Sequence, residues 1–229
     1  MKLLAFDTAS EWCSAALWID GAVSFRAVHA GQKHSELLAP MLGELLAEAG
    51  LSYRRLDGLA FGSGPGSFTG LRIACGVAQG LALGADLPVL GVSTLEALAE
   101  EGWAASSASA PLAEAGEVLA CLDARMHEVY VALYRREGSG WHLLFGPVVC
   151  APQAAPRPQS VNCIGAGPGF SAYPLLGEGV ARIAADAIPH ARAIVRLAAP
   201  RFSAGMFGPP ETAEPLYVRD KVALKVCER

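Results

Sequence analysis

The chain has 229 residues, 52% of them apolar and 17% charged, and its 18 basic and 22 acidic side chains leave a net charge of −4. That is too apolar for a disordered chain and too acidic for a strong electrostatic grip on nucleic acid. It is also leaner in charge than the roughly 25% usual in globular proteins, so something besides the chain's own core is expected to cover apolar surface. Residues 1–110 carry 6 basic and 11 acidic side chains, residues 111–229 carry 12 and 11.

No segment reads as a membrane span, because the longest charge-free stretches, 138–156 and 158–177, are broken by Gly and Pro. The N-terminus runs straight into an alternating pattern ending at Asp7, unlike a signal peptide. Six cysteines (Cys13, Cys75, Cys121, Cys150, Cys163, Cys227) form no C-x-x-C pair and are expected as small buried hydrophobes in a reducing cytoplasm.

In chain order, strands are expected at 2–7, 12–18, 22–28, 58–62 and 88–92. Leu37, Leu38, Met41, Leu42, Leu45 and Leu46 recur at helical spacing and predict a helix over 33–49, stopped at Gly50. A second helix is expected over about 70–84, and Ser93 with Glu96 reads as a capping box opening a third. Beyond the Ala/Ser-rich stretch 102–116, strands are expected at 118–123, 129–134, 141–145 and 161–165 and a helix near 190–199, with 151–158 and the end from 209 as connections.

Leu3-Leu4-Ala5-Phe6-Asp7 and Ser14-Ala15-Ala16-Leu17-Trp18 match Leu119-Ala120-Cys121-Leu122-Asp123 and Tyr130-Val131-Ala132-Leu133-Tyr134 at a constant offset of 116. Either two generic hairpins coincide, or the chain holds two copies of one α/β subdomain, residues 1–105 and 116–229, whose final segment packs back on the first.

The loop Gly62-Ser63-Gly64-Pro65-Gly66-Ser67-Phe68-Thr69-Gly70 joins a strand to a helix. It lacks the Gly-Lys-Ser/Thr of a P-loop and the spacing of a dinucleotide loop. It is either an anion cradle or a turn in which Ser67 or Thr69 caps the helix. Asp7, Thr8, Gly64, Gly66, Ser67, Thr69 and Asp123 would line a vestigial phosphate cleft, with Asp7 and Asp123 either holding Mg²⁺ or bonding their own hairpin turns. Gly76, Gly80 and Gly84, with Ala74, Ala78 and Ala82, would let another helix approach closely, from this chain or another molecule. The histidines His29, His34, His127, His142 and His190 contain no pair three or four apart, which disfavours a metal-dependent peptidase, and no metal site is expected. No G-x-S-x-G elbow is present. The basic side chains of 190–229 (Arg192, Arg196, Arg201, Arg219, Lys221, Lys225, Arg229) would help a partner hold RNA.

Together, Leu4-Ala5-Phe6-Asp7-Thr8-Ala9, His34-Ser35-Glu36-Leu37-Leu38, Gly64-Pro65-Gly66-Ser67-Phe68-Thr69-Gly70-Leu71-Arg72, Leu122-Asp123-Ala124-Arg125-Met126-His127-Glu128-Val129-Tyr130 and Pro215-Leu216-Tyr217-Val218-Arg219 resemble the bacterial TsaB (YeaZ) family. The resemblance implies duplicated subdomains of the actin/Hsp70/sugar-kinase (ribonuclease H-like) α/β fold, with mixed sheets flanked by helices. It implies a non-catalytic subunit of the complex that adds a threonylcarbamoyl group to the anticodon-adjacent adenosine of tRNAs reading ANN codons. The implied partners are the transferase subunit TsaD, the ATPase TsaE, a second copy of the chain, and tRNA through the complex, with ATP and metal on the partner subunits and no cofactor on this one. The implied partner surface comprises Leu37, Leu38, Met41, Leu42, Leu45, Arg72, Ala74, Gly76, Gly80 and Gly84. The alternative is a stand-alone ATP-binding phosphotransferase or ATPase of the same fold.

Overall fold

The apolar run Leu3-Leu4-Ala5-Phe6 is buried on both faces, because its strand lies in the middle of a sheet covered on each side. The computed structural model describes residues 1–109, 116–138 and 140–219. The first sheet holds β1 (Lys2–Asp7), β2 (Trp12–Ile19), β3 (Ala22–His29), β4 (Gly58–Gly64) and β5 (Val89–Ser93), ordered β3-β2-β1-β4-β5. The second holds β6 (Glu117–Asp123), β7 (Val129–Glu137), β8 (Gly140–Cys150), β9 (Ile164–Ala166) and β10 (Arg182–Ala184), ordered β8-β7-β6-β9-β10. In both, the first three strands pair antiparallel and the last two join parallel. The topology is the same twice over, the duplicated architecture that the repeat and the resemblance imply. Strand β10 was not legible in the sequence, and β8 runs further than expected.

The copies are not in one register throughout. Asp7 faces Ser14 across the first hairpin, whereas Asp123 faces Val129 across the second. The constant offset of 116 therefore holds for the first strand of each hairpin and slips by one on the second. The shorter mouth is closed by Arg125, Met126 and His127, all in the left-handed region at φ of 63°, 55° and 59°.

Among the described residues, five helices cover the sheets: α1 (His34–Glu48), α2 (Phe68–Ala85), α3 (Thr94–Ser109), α4 (Gly169–Ala172) and α5 (Ala191–Ser203). Helices α1 and α2 lie on one face of the first sheet, where Leu38, Leu42, Leu45, Ala74, Ala78 and Ala82 meet Leu4, Phe6, Leu59 and Phe61. The inner faces exchange their cover. Helix α3, from the first half, packs Leu95, Leu98 and Ala99 on Val118, Ala120 and Ile164 of the second sheet. Helix α5, from the second half, packs Ile194, Val195, Ala198 and Phe202 on Leu3, Ala5 and Ala60 of the first. Each sheet is thus covered on its inner face by a helix from the other half of the chain. Ion pairs fasten the exchange: Arg201 with Glu96, Arg192 with Glu101, and Arg136 with Glu100, to which Trp141 Nε1 also donates over 2.9 Å.

One local expectation is corrected. Ser93 and Glu96 do not form a capping box; the Ser93 hydroxyl lies 3.4 Å from the Tyr134 hydroxyl, and Glu96 is drawn away by Arg201. Helix α2 is long and apolar enough to cross a membrane by length and composition alone, although no such segment was expected; a third of it is buried in this chain. Cys13, Cys75, Cys121 and Cys163 are buried and free, Cys150 is half-buried, and Cys227 lies outside the described residues.

Candidate functional site

Each hairpin opens on an aspartate that bonds its own turn. Asp7 Oδ1 accepts from the Ala9 N–H over 3.0 Å, and Asp123 Oδ1 accepts from the Arg125 N–H over 2.9 Å. Asp123 stays partly exposed, with the Tyr173 hydroxyl 3.4 Å away. Asp7 is fully buried, and its Oδ2 has no hydrogen-bond partner. Burial pushes the Asp7 carboxyl up to about 7, against a smaller downward pull from the Ala9 N–H. Gly62 is required beside it, because a Cβ there would overlap Oδ2.

The glycine loop does not stand open. The Ser67 N–H donates to the Ala9 carbonyl over 2.8 Å, and a Cβ on Gly66 would lie 2.5 Å from that same oxygen. Thr8, itself buried, donates its hydroxyl to the Gly70 carbonyl over 2.7 Å. Ser67 caps α2 by accepting from the Gly70 N–H over 3.3 Å, and Thr69 is exposed on the first turn. Of the two readings of this loop, the structure supports the capping turn. Of the residues of the phosphate-cleft reading, Thr8, Gly66, Ser67 and Gly70 come together at the mouth of the first hairpin, where the Ser67 amide and the Gly66 and Gly70 profiles meet backbone, whereas Asp123 bonds the turn of the second hairpin.

The end of the chain completes the closure. The Leu216 N–H donates to the Ser63 carbonyl over 2.7 Å, and a Cβ on Gly64 would lie 2.8 Å from the Leu216 carbonyl oxygen. The Ala213 carbonyl accepts from Cys75 Sγ and Gln79 Nε2 on α2. Arg219 then crosses to the second hairpin, donating to the Ala124 carbonyl over 3.0 Å and to Glu128 over 2.6 Å. Residues 213–219 form a strap from the first subdomain to the second. Sequence reasoning treated this segment as a connection; its one signal was the Pro215–Arg219 motif. Of the basic side chains assigned to RNA, Arg192, Arg201 and Arg219 are engaged by glutamates of this chain, while Lys221, Lys225 and Arg229 lie outside the described residues.

The helix surface divides differently from expectation. Leu38, Met41, Leu42, Leu45 and Ala74 are buried in this chain's own core, and Leu37 is half-buried against it, so these residues do not form an outer face. What faces out on α2 is the row Phe68, Arg72, Gly76, Gly80, Gly84, four residues apart and therefore on one ridge. A Cβ at Gly76, Gly80 or Gly84 would meet nothing within 4 Å, so no helix of the same chain requires them to be glycine. Leu83 beside them is 74% exposed. On α1 the outward residues are small or acidic: Ala39, Gly43 and Ala47, with Glu36 and Glu44. His34 opens α1 nearly buried, with Nε2 2.9 Å from the Ser10 carbonyl oxygen. Among the described residues, no group of three or more His, Cys, Asp or Glu could hold a metal ion.

Comparison with known proteins agrees in length and architecture. The family model described as TsaD: tRNA N6-adenosine threonylcarbamoyltransferase matches residues 28–199. The "tRNA threonylcarbamoyladenosine biosynthesis protein TsaB" of Escherichia coli K12 is 40% identical over 98% of this chain and 97% of its own length. Its namesake in Haemophilus influenzae is 37% identical over 98% of this chain and 96% of its own. The solved structure of YeaZ from Pseudomonas aeruginosa superimposes with a TM-score of 0.87 at 36% identity, covering 94% of this chain and 99% of that one. With the duplicated sheets, the glycine loop and the strap in place along the whole chain, the protein belongs to the TsaB (YeaZ) family.

Proposed function

We propose that this chain is the non-catalytic scaffold subunit of the assembly that places a threonylcarbamoyl group on the anticodon-adjacent adenosine of tRNAs reading ANN codons. Its relatives are biosynthesis proteins of tRNA threonylcarbamoyladenosine, and the chain takes part in that biosynthesis. In this reading TsaD carries the chemistry, TsaE completes the complex, tRNA is reached through it, and the setting is the cytoplasm. The outward face of α1 and α2 docks either TsaD or a second copy.

The observation that carries the reading is the closed cleft. A phosphotransferase of this fold needs its first-strand aspartate and glycine loop open to a polyanion. Here Asp7 and Thr8 are fully buried, the loop bonds the Ala9 carbonyl, and the strap lies over Gly64. The loop also lacks a lysine to neutralise β- and γ-phosphates, and the first subdomain is acidic. The test pairs an ATP-turnover assay on the isolated chain with capture of TsaD and reconstitution of tRNA modification. The expected result is no turnover alone, stable capture, and modification that fails without the chain. Micromolar ATP affinity with turnover by the isolated chain would overturn the reading in favour of a phosphotransferase.

A further inference from the structure

Where the two halves exchange helices, a cavity of about 440 Å³ opens between α3, strand β10 with the loop that follows it, and the start of α5. Its volume is on the scale of small-metabolite pockets. Four charged side chains border it: Glu101 from α3, Arg182 from β10, Asp186 from the loop and Arg192 from α5. His190 borders it too but adds no charge at neutral pH, because burial, helped by Arg192, holds its pKa down at about 4.

Arg192 is set rigidly at one end. Glu101 is 6% exposed, and its carboxylate accepts from Arg192 Nε over 2.8 and 3.0 Å and also from Nη2. The guanidinium carbon lies 5.2 Å from the centre of the Phe25 ring. The group is thereby held in one orientation, and its Nη1 has no partner among the described residues. The first turn of α5 beside it has no acidic residue and no side-chain cap, so the positive end of the helix dipole is uncompensated there. Because the side chain is already ordered, little rotamer entropy remains to be lost on binding. Asp186 supplies the opposite charge; it is exposed and has no ion pair or hydrogen bond among the described residues. Arg182 is engaged with the wall, its Nη1 3.5 Å from the Ser106 carbonyl oxygen.

These charges decide between ligand classes. Two arginines against two carboxylates leave the cavity without net charge. A plain anion would meet Glu101 and Asp186, and a plain cation would meet the two arginines. An uncharged apolar molecule would strip water from all four and replace none of it. A molecule carrying both signs a few atoms apart answers both ends. We propose that the cavity binds a free α-amino acid, with its carboxylate on Arg192 Nη1 and its ammonium on Asp186. The walls between are short, from Ala105, Ser106, Ala184 and Ala187, which suits a small side chain. The site stands on these residues alone; only the choice of L-threonine as its probe rests on the function proposed above.

The test is calorimetric titration of the isolated full-length chain with L-threonine, with a thermal melt of each variant. Saturable binding is expected. N-acetyl-L-threonine, which lacks the ammonium, and L-threonine methyl ester, which lacks the carboxylate, should each bind roughly tenfold more weakly or worse. Asp186→Asn alters an exposed, unbonded carboxylate, so it should melt with the wild type and weaken L-threonine by a similar factor. Arg192→Gln combined with Glu101→Gln removes the other anchor without stranding a buried charge, and should weaken it likewise. Absence of saturable binding would overturn the site. Binding untouched by both variants would place the amino acid elsewhere and overturn it too. If N-acetyl-L-threonine binds as tightly as L-threonine, the cavity takes a plain anion and the proposal is wrong. A chain that captures TsaD yet ignores L-threonine loses only this site, whereas one that binds L-threonine without capturing TsaD keeps it while the scaffold reading falls.

Discussion

Thr8 and Gly70 are locked together from both sides. The Thr8 hydroxyl donates to the Gly70 carbonyl, and the Thr8 carbonyl oxygen sits where a Cβ of residue 70 would have to be. The first turn of α2 is thereby pressed against the mouth of the first hairpin, where an open cleft would need a gap.

Gly70→Ala should therefore destabilise the protein even though alanine is the better helix former. Helix propensity favours Ala by about 1 kcal/mol. Overlap with a backbone carbonyl cannot be relieved by a rotamer change, and overpacking of this kind costs about 1–3 kcal/mol or more. A net loss of about 1–2 kcal/mol in urea unfolding is expected. An unchanged or raised midpoint would mean that the loop stands off the hairpin.

The three outward glycines of α2 should behave in the opposite way. With nothing within 4 Å of a Cβ at Gly76, Gly80 or Gly84, alanine there gains about 0.5–1 kcal/mol per site in the isolated chain. The same substitutions add methyl groups to a close helix contact and should weaken association with a partner or second copy. Unfolding at concentrations where the chain is monomeric, set beside sedimentation at higher concentration, separates the two effects. A loss of monomer stability would show that the ridge packs within the chain.

Short apolar runs bounded by turn residues made β1, β2 and β4 legible, and the leucine spacing made α1 legible, because both signals are local. The side of α1 that faces out was misread. Leu38, Met41, Leu42 and Leu45, expected on a partner surface, sink into this chain's own core, and the residues facing out include Ala39, Gly43 and Ala47. Other features depend on contacts remote in sequence. Arg219 meets Glu128 across 91 positions, and Ala191 donates its N–H to the Ser14 hydroxyl across 177. Nothing within a window of 18 residues announces either. The closure of the glycine loop was equally hidden, since an open cradle and a capping turn draw on the same residues.

Buried Asp7 and half-buried His190 should give stability opposite slopes with pH. The Asp7 carboxyl is raised to about 7 from 3.8, so the folded state keeps a proton that the unfolded chain releases. Its contribution is fully present below about pH 4 and is lost as pH rises to about 7. His190 is lowered to about 4 from 6.5 by burial and by Arg192, so the unfolded chain takes up the proton first. That contribution is present above about pH 6.5 and is lost as pH falls toward 4. Asp7→Asn should make stability rise more steeply with pH between 4 and 7 than in the wild type, and His190→Phe should make it fall. Urea unfolding across that range checks both signs. Parallel curves for Asp7→Asn and the wild type would show that Asp7 is ionised throughout.

Among the described residues, one side chain, Arg219, hydrogen-bonds the strap to the second subdomain. Arg125, Met126 and His127 hold three consecutive left-handed conformations, each disfavoured by about 1–2 kcal/mol for an L-residue with a side chain. The turn keeps them through the Ala124–Glu128 and Glu128–Arg125 backbone bonds. Arg219 braces it from outside, bonding the Ala124 carbonyl and Glu128 together and reaching Met126 Sδ. Arg219→Ala removes the brace and leaves the strap's bonds to Ser63, Cys75 and Gln79 untouched. Losing charge-assisted bonds at a partly buried site costs about 1.5–3 kcal/mol, and the deficit should concentrate in the turn. Amide exchange at Arg125 and Glu128 should accelerate well beyond that at Leu216, whose N–H is held by Ser63. Equal acceleration at all three would mean that the strap and hairpin open as one unit, and no change at Glu128 would mean that the turn holds its left-handed conformation without help.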